Sequence, residues 1–207
     1  MHSMKLNLGC GARYVEGWVN VDYSFGARFA KVPFFSRVNK KLGLFDIDWD
    51  KRIVLHDLTT GFPWIDGSAD VIYTSHTLEH LTKEHGHSFL EECYRVLRKD
   101  GIIRILVPDL KYLIDEYSNG NLHAEDVVER LGVLPGNNTN ALKNRLSFLI
   151  QFPHKCMYDA SRLSTLLGEI GFRVKGMNPF VSDIGDIDRI ELQDRTENAV
   201  IVEGRKI

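Results

Sequence analysis

Short hydrophobic runs alternate along this chain with longer stretches in which hydrophobic residues recur every three or four positions. The short runs predict β-strands, and they lie at residues 6–8, 18–21, 52–55, 69–73, 102–107, 172–177 and 198–203. The longer stretches predict amphipathic helices over 83–98, after Asp109 and over 159–170. Gly101 and Gly171 are predicted to end two of these helices, because glycine readily adopts the left-handed conformation found there.

This alternation predicts an α/β fold built on a doubly wound, mostly parallel sheet of seven strands. The last two strands follow one another without a predicted helix between them, so we expect the terminal strand to be antiparallel. The acidic stretch that joins them, 183–197, is predicted to be an exposed loop or hairpin. The 207 residues fit a single domain over 1–207, with capping insertions at about 25–50 and 118–152.

Composition and charge exclude few classes of function, but they indicate the cellular compartment in which we expect the protein. The net charge of −2 gives no global reason to expect a nucleic-acid partner. Three cysteines without metal-type spacing favour a reduced, cytoplasmic setting, and no signal peptide or membrane span is recognisable. Residues 25–45 are locally basic and aromatic, which fits a pocket cap, a site for an anionic substrate, a peripheral membrane contact or a solvated flap.

The first predicted strand ends in the glycine turn Gly9-Cys10-Gly11, and the second strand ends at Asp22. An acidic residue at the carboxyl end of the strand that follows such a turn is placed to accept hydrogen bonds from ribose hydroxyls. The ligand is therefore predicted to be a nucleoside. Tyr14 stands where a dinucleotide fingerprint has its third glycine, and the gap to Asp22 is short, so a pyrophosphate cradle is poorly supported.

The string KLNLGCGARYVEGWVNVD over residues 5–22 resembles motif I of the class I S-adenosylmethionine (SAM) dependent methyltransferases. Asn7 replaces the usual acidic residue of that motif, and Arg13 replaces a frequent third glycine. The later string YRVLRKDGIIRILVPD closely resembles the family's helix end and following strand. More narrowly, the chain is similar to type 11-like methyltransferases of the kind associated with bacterial polysaccharide and glycoconjugate synthesis.

The resemblance implies a Rossmann-like fold, SAM as cofactor and S-adenosylhomocysteine (SAH) as product. It also implies the contacts of each part of the cofactor. The methionine part is expected at Gly9, Cys10 and Gly11, and the ribose at Asp22. The adenine is expected at Asp57 and Leu58, and Ser75 and His76 are expected to line the crevice just past the fourth strand.

We expect the methyl acceptor to be a small molecule or a saccharide that is methylated on oxygen. A hydroxyl acceptor calls for a base that removes its proton near attack. His154 is our first candidate because histidine titrates near neutral pH, and Asp109 and His76 are the others. Each has a structural alternative: Asp109 as a helix cap, and His154 as part of the junction between an insertion and a helix. Tyr158 is a further candidate, with a place in the core as its alternative.

The residues His76, Glu79 and His80 form an H-x-x-E-H string whose side chains share one face if the segment is helical. A metal-assisted methyltransferase with His154 as the distant ligand and a zinc hydrolase are two interpretations, and a packing element is the third. We assign no metal from sequence alone. A non-catalytic SAM-binding protein is a further alternative, since Asn7 and the missing third glycine depart from the motif.

Overall fold

The computed structural model describes residues 3–32, 49–133 and 152–207. Seven strands are present in these ranges: β1 Lys5–Leu8, β2 Val19–Asp22, β3 Val54–Leu55, β4 Ala69–Ser75, β5 Leu97–Pro108, β6 Phe172–Gly176 and β7 Ala199–Lys206. The α-helices are α1 Phe25–Ala30, α2 Lys83–Val96, α3 Leu110–Ser118, α4 Ala124–Arg130, α5 Ala160–Ile170, α6 Ile187–Ile190 and α7 Gln193–Thr196. A 3-10 turn, Leu78–His80, follows β4. Much of both predicted capping insertions, 33–48 and 134–151, lies outside the described residues.

The seven strands form one sheet in the order β3-β2-β1-β4-β5-β7-β6. All neighbouring strands are parallel except β7, which runs antiparallel to both β5 and β6. The predicted fold class is confirmed. The strand order reverses between β1 and β4, and in open α/β sheets a crevice forms at such a switch point, beyond the carboxyl ends of the strands.

Side chains of successive strand residues enter two separate hydrophobic layers, as the alternation of a β-strand requires. On one face, Ile72, Ile103 and Ile105 pack with residues of α2 and α5. On the other face, Tyr73 and Leu106 pack in a second cluster with Val15, Trp18, Ile184, Ile187, Ile190 and Ile201. The sheet is thus covered on both sides.

The acidic stretch 183–197 forms part of the second layer, and the prediction of an exposed loop or hairpin is wrong. It contains the short helices α6 and α7, so β6 and β7 are not joined without a helix. Glu191 is buried, and its carboxylate accepts hydrogen bonds from Nε and Nη2 of Arg104 at 2.7 and 2.9 Å. An acidic composition suggested solvent exposure, but one of the acids pairs with a buried cation of β5.

None of the helices in the described ranges combines the length and the apolar character that a membrane span needs. The longest of them, α2, has an amphipathic sequence, with Phe89, Leu90 and Cys93 buried against the sheet. The second long helix, α5, begins at the cap residue Asp159 and ends at Gly171, whose φ is +118°, as predicted.

Candidate functional site

The glycine turn after β1 is fixed to β2 by its backbone. The N–H groups of Gly9 and Cys10 both donate to the carbonyl of Val21, at 2.9 and 3.0 Å. Gly9 has a φ of +74°, and a Cβ added to it would lie 2.0 Å from Oγ1 of Thr77. Both the backbone conformation and the neighbouring side chain therefore require glycine here. Burial and the nearby Asp22 carboxylate raise the pKa of the Cys10 thiol, which leaves it neutral.

Asp22 joins the end of β2 to the glycine turn. Its Oδ2 accepts the N–H of Gly11 at 2.8 Å, and its Oδ1 accepts the N–H of Ser24 at 2.7 Å. The side chain is 8% exposed, and each oxygen keeps a further lone pair for a ligand. Apart from its two chain neighbours, no described residue has an atom within 4 Å of a Cβ added to Gly11, so the described part of the chain leaves the space beside it open. This buried carboxylate beside an open glycine fits a nucleoside whose ribose hydroxyls donate hydrogen bonds.

The two departures from the methyltransferase motif each have a local structural role. Asn7 is buried, and its Nδ2 donates to Oδ1 of Asn20 at 2.9 Å. Arg13 reaches across to the end of α6, where it donates to the carbonyls of Arg189 and Ile190 at 2.7 Å each. Asn7 therefore orders the connection between β1 and β2, and Arg13 ties the glycine turn to the segment 183–197.

Asp57 and Leu58 follow β3, which neighbours β2 in the sheet. Oδ1 of Asp57 accepts the N–H and the O–H of Thr59, at 3.0 and 2.7 Å. Burial raises the pKa of Asp57, but these hydrogen bonds outweigh it, so the net shift of the pKa is downward. Leu58 is buried. Asp22 and Asp57 thus follow the carboxyl ends of adjacent strands, as the sequence predicts.

Ser75 and His76 stand at the carboxyl end of β4. Ser75 is the last residue of the strand, and His76 adopts a left-handed φ of +51°. The imidazole of His76 contacts the Arg195 carbonyl through Nε2 at 3.0 Å and places Nδ1 3.3 Å from Oε1 of Glu79. A non-glycine residue held in this conformation is often found at functional sites.

The fold brings His154 to the H-x-x-E-H string. The N–H groups of Lys155 and Cys156 donate to the carbonyl of Glu79, at 2.7 and 3.1 Å. The rings of His80 and His154 are 5.0 Å apart, centroid to centroid. Ligand atoms of Glu79, His80 and His154 all lie within 4.8 Å of one another. Because Glu79 and His80 lie in a short 3-10 turn and His76 precedes it, His76 does not join this group of three.

Asp109 and Tyr158 lie outside that cluster of three residues. Oδ1 of Asp109 accepts the N–H of Lys111 at 2.9 Å and caps α3, which matches the structural alternative. Tyr158 is buried in the core, and burial raises the pKa of its phenol. A Cβ added to Gly86 would lie 3.0 Å from the Tyr158 hydroxyl. The structure therefore places Tyr158 in the core packing.

The sequence places Thr77 just past the fourth strand, but sequence reasoning missed that its side chain packs directly on Gly9. The signal was available in the strand order, since the residues after β4 and the turn after β1 meet where adjacent parallel strands end. It also missed the hydrogen bond of Asn7 to Asn20 and those of Arg13 to Arg189 and Ile190, because these partners depend on how separate segments pack.

Residues 6–105 match the family described as "Methyltransferase domain". A search of curated proteins gave no match. Among solved structures, the chain is similar to a SAM-dependent methyltransferase from Methanosarcina mazei, with 12% identity, a TM-score of 0.54 and coverage of 100% of this chain and 94% of that one. It is similar to a SAM-dependent methyltransferase from Archaeoglobus fulgidus, with 17% identity, a TM-score of 0.52 and coverage of 99% and 86%.

A third similar structure is the 1,6-didemethyltoxoflavin-N1-methyltransferase of Burkholderia thailandensis, with bound 1,6-didemethyltoxoflavin and SAH. It has 13% identity, a TM-score of 0.50 and coverage of 99% of this chain and 71% of that one. At these identities the structural similarity shows the fold.

Proposed function

We propose that this chain is a SAM-dependent methyltransferase that methylates an oxygen atom of a small-molecule or saccharide acceptor. The match of residues 6–105 to a methyltransferase domain and the similarity of the fold to SAM-dependent methyltransferases support this proposal. The cofactor is SAM, which supplies an electrophilic methyl group on a sulfonium. The observation that carries the proposed cofactor site is the Asp22 carboxylate, hydrogen-bonded to Gly11 of the glycine turn at the switch point of the sheet.

In our proposal, different residues at the carboxyl ends of the parallel strands contact different parts of the cofactor. Gly9, Cys10 and Gly11 hold the methionine part through their backbone, and Asp22 accepts hydrogen bonds from the ribose hydroxyls. Asp57 faces the adenine amino group while Leu58 packs on the ring, and Ser75 and His76 line the crevice beside them. The open space beside Gly11 and the free lone pairs of Asp22 support this arrangement.

We place the acceptor next to His76 and His154, and we assign the activation of its oxygen to the cluster around His154. Two observations support this placement. The glycine turn touches Thr77, which follows His76 directly, and His154 is joined to the same post-β4 segment through Glu79. Methyl transfer mainly requires that the acceptor be aligned with the methyl group and that water be excluded. His154 follows the insertion 118–152, which we propose selects the acceptor.

The narrower proposal places the enzyme in polysaccharide or glycoconjugate synthesis in the cytoplasm. It rests on the motif resemblance, together with the cysteines. All three cysteines of the chain, Cys10, Cys93 and Cys156, are free thiols in the structure. Free thiols fit a reducing compartment.

The cofactor site is tested by calorimetric titration with SAH of the parent protein and of an Asp22→Asn variant. We expect saturable binding in the parent and an affinity about 10- to 100-fold lower in the variant, because the hydrogen bonds to a charged acceptor are lost. Asp183→Asn is the control, since Asp183 is exposed and pairs with Arg205, which lies beside Ile102 and away from the carboxyl ends of the parallel strands. Equal affinity of Asp22→Asn and the parent would contradict the proposed site.

The acceptor is tested by incubating the parent with labelled SAM and a panel of saccharides and small hydroxyl compounds. Oxygen methylation of one compound, located by NMR, is the expected result. A methyl group found on nitrogen or carbon would contradict the proposed reaction. SAH binding without turnover of any compound would favour the non-catalytic alternative.

A further inference from the structure

We infer that Glu79, His80 and His154 form a binding site for one divalent transition-metal ion. The site offers one carboxylate oxygen and two imidazole nitrogens, all within 4.8 Å of one another. Bonds of about 2.0–2.2 Å would hold these atoms about 3–3.5 Å apart, so side-chain rotations of roughly 1 Å close the site around an ion. Two histidines and one glutamate form a ligand set known from catalytic zinc sites.

The burial of Glu79 is the first independent observation that points to a cation. Its side chain is 0% exposed, and neither carboxylate oxygen accepts a hydrogen bond from any residue of the described ranges. A buried carboxylate without hydrogen bonds is strongly unfavourable unless a cation compensates its charge. Nδ1 of the adjacent His80 is likewise buried and makes no hydrogen bond to the described part of the chain. Buried polar atoms on two adjacent residues therefore lack hydrogen-bond partners within the described part of the chain.

The orientation of His154 is the second observation. Its Nδ1 lies 2.8 Å from the carbonyl of Leu131, which can only accept, so Nδ1 donates to that carbonyl and Nε2 is the nitrogen left to bind a ligand. A backbone carbonyl that fixes one ring nitrogen while the other faces a ligand is the usual arrangement of a metal-binding histidine.

The protein surrounds the His154 ring closely, as a preformed ligand requires. A Cβ added to Gly132 would lie 2.8 Å from Nδ1 and Cε1 of His154, and the φ of Gly132 is +63°. The N–H of His154 donates to the Gly132 carbonyl at 2.9 Å. The turn after α4 is therefore shaped around this imidazole.

His76 is a positioning residue in this proposal. Because the Arg195 carbonyl can only accept, Nε2 of His76 carries a proton, and the ring sits between that carbonyl and Glu79. The imidazole thereby limits the movement of the Glu79 carboxylate. We expect His76 to affect metal affinity less than the three ligands do.

The ligand types indicate the class of metal. Imidazole nitrogens favour zinc, iron, cobalt or nickel over magnesium and calcium, which prefer oxygen ligands. Three protein ligands also leave at least one coordination position open, which is typical of catalytic sites.

The role of the ion rests on the proposed function. The acceptor hydroxyl binds at the open position, where the positive charge lowers its pKa and its proton passes to water. The electron pair of that oxygen forms the new O–C bond as the C–S bond of the sulfonium breaks. Sulfur keeps the pair of the broken bond, and SAH leaves as a neutral thioether. Thr77 connects the two sites, because it packs on Gly9 and lies two residues before Glu79.

The metal site is tested on the full chain after removal of bound metal with a chelator. Calorimetric titration with Zn²⁺, Co²⁺ and Mg²⁺ is expected to show one tight site per chain for Zn²⁺ and Co²⁺, and none for Mg²⁺. Glu79→Gln and His154→Ala are each expected to lower Zn²⁺ affinity at least about 10-fold. Zn²⁺ is expected to raise the melting temperature of the parent more than that of these variants, since a ligand stabilises the fold in proportion to the logarithm of its affinity.

A matched control lies on α2, where His87 and Glu91 form an exposed pair with 3.4 Å between Nδ1 and Oε2. His87→Ala and Glu91→Gln remove the same chemical groups and are expected to leave Zn²⁺ affinity unchanged. Zn²⁺ affinity that is unaffected by Glu79→Gln and His154→Ala would overturn the inference, as would the absence of a tight site in the parent. If Glu79→Gln fails to fold, the Zn²⁺ affinity of His154→Ala alone tests the inference.

Titration of the metal-free parent with SAH separates this inference from the proposed function. SAH binding without any specific zinc site would overturn the metal inference alone. Specific zinc binding without SAH binding would overturn the proposed cofactor site, and with it the assigned role of the ion.

Discussion

Gly9 and Gly11 differ in what surrounds them, although both adopt a positive φ. A Cβ on Gly9 would overlap the Thr77 side chain, whereas a Cβ on Gly11 would enter open space. We expect Gly11→Ala to lower the free energy of unfolding by about 1–2 kcal/mol through backbone strain alone. Gly9→Ala is expected to cost about 3–5 kcal/mol, because overlap adds to strain.

Urea unfolding of both variants measures this difference. The double variant Gly9→Ala/Thr77→Gly removes the overlap and keeps the backbone strain, so it is expected to recover part of the loss relative to Gly9→Ala. Equal stability of Gly9→Ala and Gly11→Ala would show that Thr77 moves aside without cost.

At the residue scale, the sequence indicated those groups whose role depends on a local pattern. Asp22 was found because it ends the strand after a glycine turn, and the structure joins it to Gly11. The group formed by Glu79, His80 and His154 was only one of several interpretations. The group forms because the N–H groups of Lys155 and Cys156 donate to the carbonyl of Glu79. No local sequence pattern reveals these hydrogen bonds.

The segment 183–197 is held to the sheet by a buried ion pair whose strength can be measured. Both Arg104 and Glu191 have fully buried side chains. We expect Glu191→Gln to lower the free energy of unfolding by about 3 kcal/mol, because among the described residues it leaves Glu203 as the one remaining charged partner of the arginine. Urea unfolding is again the measurement.

The control for that experiment lies in the same segment. Asp183 pairs with Arg205 on the surface, and exposed pairs contribute at most about 1 kcal/mol. Asp183→Asn is therefore expected to change stability much less than Glu191→Gln. A similar loss in both variants would mean that burial of the Arg104 pair is not what holds the segment.

At the element scale, periodicity located the strands and long helices well and located one boundary poorly. The helix α2 ends at Val96, and β5 begins at Leu97, so Gly101 does not end the helix as predicted. Pairing of Leu97 with Ala69 extends the strand toward the helix. This pairing is a contact between distant residues, which helix periodicity does not report. The local signals at Asp159 and Gly171 were sufficient for α5, because both act within their own helix.

Across the whole molecule, three carboxylates with lowered pKa values join separate regions. Arg95 hydrogen bonds lower the pKa of Glu92, which also accepts the N–H of Phe62. Burial raises the pKa values of Asp70 and Asp186, but hydrogen bonds lower both overall. The bonds come chiefly from Arg98 to Asp70 and from Lys5 to Asp186. The folded state therefore favours the ionised forms of all three.

Such groups make stability depend on pH with a defined sign. Their contribution is present above the ordinary pKa of a carboxyl group and is lost as the pH falls through the lowered values. We expect the urea midpoint to change little between pH 7 and 5, and to fall below about pH 4. The fall is expected to be shallower in Glu92→Gln. A midpoint that is constant down to pH 3 would contradict this prediction.

The hydrogen bonds of Arg13 have a consequence for how the protein is made. Its acceptors are the carbonyls of Arg189 and Ile190, which lie 176 and 177 residues further along the chain. During translation the glycine turn leaves the ribosome long before those carbonyls exist. The turn therefore reaches its final anchorage only after the segment that carries Arg189 and Ile190 has been synthesised.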